Sequence, residues 1–285
     1  MANVRDLKKR IKSVGNIAQI TRAMEMVATT KLRKFQDRAV ASRPYAEQIA
    51  RLVEDLAAAV GGGGEHPLFE VRPVRRKAVL VVTSNRGLCG SYNSNVFAKV
   101  RDYKAEHRGV DLDFFVIGRK GMSFLSKRDY EIELYLEDLN LEKLEFQQAA
   151  QVARAGARLF KSGRYDALDV VYTAFVSSSR FEPSAFQFLP LVSSDEGRVV
   201  DTLLEPDPTT IFESLVPRYL ETRMFNALIE SLTSEFAMRR ISMKNATDAA
   251  NDMRKGLTLE YNRARQERIT KELLEIVGGA EALRG

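Results

Sequence analysis

A short glycine-containing loop is the part of the sequence best suited to chemistry. Residues 84–93 read SNRGLCGSYN, directly after the apolar run at 78–82, and a helical stretch follows them. In doubly wound α/β folds, a loop between a strand and a helix is where phosphate groups bind. This loop matches neither G-x-G-x-x-G nor a phosphate-binding loop, because Gly87 and Gly90 are its only glycines. A tight structural turn is therefore the favoured interpretation, and nucleotide binding is the alternative.

The other reactive residue types occur singly or far apart in the sequence. Cys89 is the only cysteine, and the two histidines, His66 and His107, are distant from it. These three side chains cannot supply the four ligands of a structural zinc site, and the serine run at 177–179 has no nucleophile-elbow motif. Cys89 is expected to be a small buried thiol. We therefore expect no catalytic residue, no cofactor, no metal ligand and no enzyme activity of the chain's own.

A long amphipathic helix is predicted at the N-terminus. Its apolar residues recur mostly in steps of three and four, which indicates one helical face close to a heptad seam. Pro44 is expected to kink this helix or mark a joint, since it lacks a backbone donor and clashes with the preceding turn. The helix is expected to end at the four glycines at 61–64, a flexible joint. The seam positions are Val4, Leu7, Ile11, Val14, Ile17, Ile20, Met24, Val27, Leu32, Phe35 and Ala39.

The C-terminal segment mirrors the N-terminal one. After a turn with the sequence EPDP at 205–208, Thr209 or Thr210 is expected to cap a helix. Beyond Pro217 its apolar face continues without a proline to about Gly278, which corresponds to about 60 residues and about 90 Å. The apolar faces of two helices this long are most simply buried against each other. We therefore predict an antiparallel coiled coil. Two separate helices in a bundle are the alternative.

The middle of the chain alternates between strand and helix patterns. This alternation predicts a small, mostly parallel, Rossmann-like α/β domain inserted between the two coil helices, so the fold class is mixed α+β and α/β. Predicted strands lie at 78–82, 112–117, 132–136 and 169–176, with an edge strand at 184–192 and helices at 94–107 and 141–160. The predicted division is a coil helix at 1–60, a glycine-rich linker at 61–75, an α/β domain at 76–205 and a coil helix at 209–285.

The positive charge of the chain is concentrated in its N-terminal helix. The formal net charge is +6, and residues 1–60 hold twelve Lys and Arg against six Asp and Glu. A basic helix suits nucleic acid, an anionic membrane surface or an acidic protein partner. Two stretches are candidate interaction surfaces: residues 21–27 with the basic residues that follow, and residues 262–270, whose arginines cannot all face a two-helix seam.

Six segments carry a resemblance to a known family. They are ITRAMEMVATTKLRKFQDR at 20–38, SRPYAE at 42–47, SNRGLCGSYN at 84–93, LLEPDP at 203–208, MKNATDAA at 243–250 and YNRARQERITKELLEIVGGA at 261–280. In this order, and over nearly the whole chain, they resemble the gamma subunits of F-type ATP synthases. The last segment contains the signature region of that family.

The resemblance implies a non-catalytic rotor, present in one copy per complex. In that family the coil penetrates a hexamer of alternating alpha and beta subunits, and the beta subunits make or hydrolyse ATP. The α/β domain and the lower coil sit on the epsilon subunit and on the membrane ring of c subunits. Proton flow turns the ring, and the shaft presents a different face to each beta subunit in turn. The implied location is the cytoplasmic face of the bacterial cell membrane, as a peripheral protein.

Three groups of contact residues are also implied by the resemblance. A foot that meets epsilon and the c ring is implied for Leu204, Glu205 and Pro206. A tip that turns within an apolar collar is implied for Ile276, Val277, Gly278, Gly279 and Ala280. Contact with the beta subunit, whose acidic lever would attract the basic residues, is implied for Met24, Lys31, Arg33, Lys34, Arg265, Gln266 and Thr270.

Two rival functions stay open from the residues alone. A basic coiled-coil protein that binds nucleic acid would be retained on DNA with steep salt dependence. A nucleotide-binding enzyme would bind ATP in isothermal titration of the isolated chain. The rotor hypothesis predicts no nucleic acid partner and no ATP binding or ATPase activity of the chain alone.

Overall fold

The computed structural model describes residues 4–59, 66–128, 130–177, 180–192 and 207–282. The predicted glycine joint at 61–64 lies outside the described residues, and so do the predicted foot residues Leu204, Glu205 and Pro206. Within the described part of the chain, no helix is both long enough and apolar enough to cross a membrane.

The two terminal helices are continuous. Helix α1 spans Val4–Ala59, and helix α5 spans Pro208–Ala282. Pro44 lies inside α1, so α1 continues through the predicted joint as one helix. Both predicted coil helices are thus confirmed, and α5 extends past its predicted end at Gly278.

The start of α5 differs from the prediction. Pro208 is the first helical residue, where a missing backbone N–H costs little because the first N–H groups of a helix have no partner inside it. The carboxylate of Asp207 accepts hydrogen bonds from the backbone N–H of Thr210 at 2.9 Å and from its hydroxyl at 2.6 Å. These bonds, chiefly the one from the hydroxyl, lower the pKa of Asp207. The predicted cap at Thr209 or Thr210 is wrong, because the preceding carboxylate is the acceptor.

The inserted region contains a five-stranded sheet in the order β3-β2-β1-β4-β5. Strands β1 to β4 are parallel, and β5 pairs antiparallel with β4 at the edge. All five predicted strands are present, and β5 lies about three residues earlier than predicted. The strands are β1 (Arg76–Val82), β2 (Asp111–Ile117), β3 (Ile132–Tyr135), β4 (Ala167–Phe175) and β5 (Phe181–Leu189).

Three shorter helices connect the strands. Helix α2 (Tyr92–Glu106) matches the prediction, whereas α3 (Arg119–Ser126) was not predicted. The helix predicted at 141–160 is divided into a 3-10 turn at Leu141–Lys143 and helix α4 (Phe146–Lys161). The division occurs at Glu145, the N-cap residue of α4. The side chains of Glu145 and Gln148 form a capping box, which begins a new helix at this point.

Contacts divide the chain into two compact units, Met1–Ala28 with Arg239–Gly285 and Thr29–Met238. Each unit contains part of α1 and part of α5. The boundaries predicted near residues 60, 75 and 205 divide the sequence into consecutive segments, whereas the two units are defined by contacts in space. The predicted boundaries are therefore not tested by this division and stay a prediction.

In the first unit, α1 and α5 pair antiparallel through small side chains. Thr247 Oγ1 donates a hydrogen bond to Thr21 Oγ1 at 2.8 Å. A Cβ added to Gly15 would lie 3.9 Å from Cδ of Arg254. Residue numbers therefore rise along α1 as they fall along α5. Small side chains at a helix interface let the two axes approach closely.

The seam of α1 in this unit includes the predicted Leu7, which is buried, but it departs from the prediction at three positions. Ala18 and Ala28 are buried, whereas the predicted seam residues Ile17, Ile20 and Val27 are 51%, 60% and 56% exposed. Each residue of an α-helix turns the chain by about 100°. A seam through the alanines therefore leaves these larger residues on the outer surface of the pair.

In the second unit, the same pairing uses larger side chains. The rings of Phe35 and Phe236 have centroids 5.4 Å apart, and Ser42 Oγ lies 3.0 Å from Asn226 Oδ1. The order of contacts is again antiparallel. The predicted antiparallel pairing of the terminal helices is thus found in both units.

Both faces of the sheet are covered in the second unit. Val79 and Val81 of β1 are buried in one cluster with residues of α2 and α3. On the other face, a Cβ on Gly156 of α4 would lie only 2.9 Å from Cδ1 of Leu168 in β4. Met224 of α5 is also buried on this face, beside the same small apolar cavity as Gly156 and Leu168.

The link between β2 and α3 generates a testable prediction. Gly118 has φ +97° and ψ 133°, and a Cβ there would lie 2.2 Å from the carbonyl oxygen of Thr83. We expect Gly118→Ala to lower the free energy of unfolding by more than about 3 kcal/mol in urea denaturation.

Gly109→Ala is the matched control for this substitution. Gly109 has φ +92°, but nothing lies within 4 Å of its added Cβ. We expect a loss of about 1 kcal/mol, from backbone conformation alone. Equal losses in the two variants would show that the contact with Thr83 does not matter.

Candidate interaction surface

Helix α5 fills the crevice at the carboxyl edge of the sheet. The strand order reverses between β1 and β4, and doubly wound sheets bind ligands in the crevice at such a point. Here Ser231 Oγ lies 2.7 Å from the hydroxyl of Tyr92, at the start of α2. It also accepts a hydrogen bond from the backbone N–H of Thr173 in β4 at 3.4 Å. A helix of the same chain thus takes the position that a ligand has in other proteins of this architecture.

The loop at 84–93 is held by hydrogen bonds of its own. Ser84 N–H donates to Asn93 Oδ1 at 3.1 Å, and Asn93 Nδ2 donates back to Ser84 Oγ at 2.7 Å. Cys89 is 2% exposed and lies 3.2 Å from the same amide nitrogen, which confirms the small buried thiol. These contacts support the interpretation as a structural turn. Among the residues that the structure describes, no group of three or more His, Cys, Asp or Glu could hold a metal ion.

A buried charge cluster at the opposite edge of the sheet was missed in the sequence. Lys77 Nζ lies 2.9 Å from Asp169 Oδ2 and 3.2 Å from His107 Nε2. The hydroxyl of Tyr103 also donates to Asp169. Burial raises the pKa of Tyr103, and the bond to Asp169 raises it further, so the hydroxyl keeps its proton. The cluster links α2 to β1 and β4. In the sequence it is indicated only by Lys77, a charged residue directly before the apolar run at 78–82.

The basic residues of α1 assigned to a partner lie in two different environments. Arg33 and Lys34 are exposed. Lys31 is half-buried and forms an ion pair with Glu142, in the 3-10 turn before α4. Arg86, in the loop after β1, forms a second ion pair with the same carboxylate. Lys31 therefore ties α1 to the sheet region of its own unit.

The carboxylate of Glu142 is held ionised by these two cations. Burial by itself would raise the pKa of Glu142, but the hydrogen bonds from Lys31 and Arg86 outweigh burial and lower the pKa. Arg38 reinforces the same link, since its Nη2 donates to the carbonyl oxygen of Leu144 at 2.6 Å. Three basic residues, from α1 and from the loop after β1, thus converge on one short turn.

The outer surface of the first unit is rich in exposed apolar residues. Met24 of α1 is half-buried, but Met26 is 58% exposed. On α5, every residue from 265 to 280 is exposed, including Arg265, Gln266 and Thr270. The predicted tip, residues 276–280, belongs to this stretch. Its large apolar residues and their exposed fractions are Ile269 (41%), Leu273 (57%), Leu274 (68%), Ile276 (70%) and Val277 (59%).

Sequence comparison relates the whole chain to one family. Residues 3–283 match the model of a family described as ATP synthase. The ATP synthase gamma chain of Dehalococcoides mccartyi (strain CBDB1) is 42% identical over 287 residues, which cover 99% of this chain and 100% of that relative. The ATP synthase gamma chain of Brevibacillus brevis is 40% identical over 283 residues, which cover 98% of each chain.

Solved structures of similar fold come from ATP synthases. A chain of the Euglena gracilis mitochondrial ATP synthase (OSCP/F1/c-ring, rotational state 3) matches with a TM-score of 0.69 at 19% identity, over 98% of this chain and 94% of that chain. A chain of the Tetrahymena thermophila mitochondrial ATP synthase (central stalk and c-ring) matches with a TM-score of 0.61 at 23% identity, over 80% and 99%. At these identities the similarity shows the fold alone.

The ion pairs of Glu142 generate a prediction about pH. We expect Glu142→Gln to lower the free energy of unfolding by about 1 kcal/mol at pH 7, because Lys31 and Arg86 lose a charged acceptor. The pKa of Glu142 is lowered from 4.5 in the folded chain. Its contribution is therefore present above that value and is lost as the pH falls below it.

Urea unfolding of wild type and variant at a series of pH values from 7 down to about 3 measures this contribution. The difference should be constant well above 4.5 and should shrink as the pH falls from 4.5 through the lower pKa of the folded chain. Glu137→Gln is the control, since it removes an exposed carboxylate of the same segment. A stability difference that does not shrink over this range would contradict the role of charge.

Proposed function

The chain belongs to the family of ATP synthase gamma chains, and we propose that it is the central rotor shaft of its complex, without a catalytic site of its own. One copy would lie within a hexamer of alternating alpha and beta subunits and couple rotation to ATP synthesis or hydrolysis at the beta-subunit sites. The filled crevice at the carboxyl edge of the sheet supports a non-catalytic role, since α5 lies where doubly wound folds bind their substrates.

The observation that carries this proposal is the exposed apolar end of α5. Residues 265–280 contact no other helix closely enough to be buried, yet they include five large apolar side chains. Exposed apolar patches of this kind mark interaction surfaces. Because residues 265–280 are exposed around the whole circumference of the helix, subunits that surround the helix would cover these apolar side chains. Ile276, Val277 and the glycines Gly278 and Gly279 would then form the tip within those subunits.

Contact with the beta subunit would use a separate surface in each compact unit. In the first unit, Arg265, Gln266 and Thr270 offer exposed polar groups beside apolar ones, and Met24 lies at the rim of the α1–α5 seam. In the second unit, Arg33 and Lys34 are the exposed cations among the residues predicted to meet the beta subunit. Lys31 forms an ion pair with Glu142, which partly neutralises its charge. Its attraction to an acidic partner would therefore be weaker than that of Arg33 or Lys34.

Coupling would follow from differential binding. A partner that binds two states of another protein with different affinity shifts the populations of those states. A shaft whose surface differs from one side to another would favour a different state of each beta subunit at each angle. Rotation then changes which subunit is favoured, and no residue of the shaft needs to touch a nucleotide.

A further contact would connect the chain to the membrane part of the complex. We propose that the foot, which includes Leu204, Glu205 and Pro206, meets an epsilon subunit and the ring of c subunits. The chain would thus be a peripheral protein at the cytoplasmic face of a bacterial membrane, and proton transport would turn it. The bacterial gamma chains to which it is similar support this location.

Reconstitution tests the proposal as a whole. The chain alone is expected to bind no ATP in isothermal titration and to hydrolyse none. Mixing it with alpha and beta subunits of the same organism should yield an assembly with one copy of the chain and restored ATPase activity. Failure to associate with those subunits would refute the proposed function.

The polar cluster on α5 gives a sharper prediction. The double variant Arg265→Ala with Gln266→Ala should lower coupled turnover of the assembled complex by about tenfold, through loss of charge-assisted hydrogen bonds to the partner. Folding and assembly should be unchanged, because both side chains are exposed. ATP-driven proton pumping in reconstituted vesicles is the measurement.

Lys255→Ala is the matched control for the double variant. Lys255 is an exposed cation on the same helix, and its ion pair is with Asp252, one turn away. It should leave turnover unchanged. Normal turnover in a correctly assembled double variant would show that the cluster is solvated surface.

A further inference from the structure

A cleft in the second unit lies between α1, α5 and the edge of the sheet. It encloses about 320 Å³, within the range typical of small-molecule sites, roughly 300–1,000 Å³. A second cavity of about 330 Å³ adjoins it, and Tyr219 and Arg223 of α5 line both. Arg223 therefore borders both cavities.

The shape of the cleft follows from the residue sizes on its walls. Ala46 and Ala50 of α1 line one side, and they face the same way because they are four residues apart. Their small side chains leave the space open. Tyr172 of β4 and Phe186 of β5 form the opposite wall together with Tyr219. Three aromatic rings and three alanines thus line the cavity, together with the polar residues Thr222, Arg223, Asn226 and Glu230.

Arg223 differs from the other arginines of this part of α5. Its guanidinium lies 4.6 Å from the ring centroid of Phe186 and 5.9 Å from that of Tyr219. No ion pair among the described residues includes Arg223, whereas Arg218 pairs with Glu221. A guanidinium that stacks on aromatic rings keeps its in-plane N–H groups directed away from them. Those donors suit a carboxylate, which can accept two of them at once.

Two carboxylates lie beside the cavities that Arg223 lines. Glu230 lines the cleft and Glu54 lines the adjoining cavity, but among the described residues neither forms an ion pair with Arg223. Burial raises the pKa of Glu230, and the backbone N–H of Phe175, the charge of Arg43 and the hydroxyl of Tyr172 offset this only in part. The in-plane donors of Arg223 therefore remain for an external anion.

We propose that this cleft binds a small organic anion with an aromatic ring, such as an aryl carboxylate, whose carboxylate is bound by Arg223. The ring would pack against Tyr172 and Tyr219, while Ala46 and Ala50 leave it room. The aromatic walls favour an aryl group over a bare inorganic anion, which would contact only the guanidinium. This binding is independent of the proposed rotor function, since it uses no partner subunit.

Titration calorimetry of the purified full-length chain with benzoate tests the proposal. We expect saturable binding of benzoate, and weaker binding of cyclohexanecarboxylate and of inorganic phosphate. Arg223→Gln should weaken benzoate binding by about tenfold or more, as expected for loss of charge-assisted hydrogen bonds. Arg218→Gln, on the same helix but outside both cavities, should bind benzoate as the wild type does.

A second variant tests the cleft without removing a charge. Ala50→Leu would fill the space between α1 and the aromatic wall, and it should also weaken benzoate binding, with helix content unchanged by circular dichroism. Three results would overturn the proposal: no saturable binding of benzoate, equal affinity in wild type and Arg223→Gln, or phosphate bound as tightly as benzoate.

Discussion

The mutual burial of two long helices is the constraint on which the rest of the structure depends. A helix of 56 residues and another of 75 cannot be covered by one small core, and isolated helices are marginal in water. Each covers part of the apolar surface of the other in both compact units, although residues 265–280 of α5 stay exposed. Burial of one large side chain contributes about 1.5–3 kcal/mol, so residues such as Leu7, Phe35 and Phe236 stabilise the pair over many turns. In the second unit this helix pair also supports the sheet, against which Met224 and Ser231 of α5 pack.

That support changes what the sheet can do. Ser231 of α5 bonds to Thr173 and Tyr92 where doubly wound folds leave room for a ligand. The sheet consequently becomes an anchor for the helix pair. Glu142 strengthens the anchor, since it joins Lys31 of α1 to Arg86 after β1. Firm attachment of the sheet to the helices fits the proposed role, in which the chain would transmit torque.

The sequence predicted the elements well and the contacts poorly. Helical periodicity and apolar runs located both terminal helices and all five strands, because these patterns are local. Helix α3 was not predicted, because its eight residues are too few to show the helical periodicity of apolar side chains. The ion pair between Lys31 and Glu142 joins residues 111 positions apart, so no spacing rule could reveal it. The seam prediction failed at Ile17 and Ile20 because it ranked positions by hydrophobicity, whereas close helix packing selected the small residues beside them.

Direct observation of rotation tests the central claim that the helix pair is a shaft. The hexamer would be fixed to a surface through its beta subunits, and a probe attached to a cysteine introduced at the exposed Lys161, at the end of α4. A rotor predicts that the probe turns stepwise in one direction when ATP is added and stops when ATP is removed. A probe that stays still while the same complexes hydrolyse ATP would contradict it.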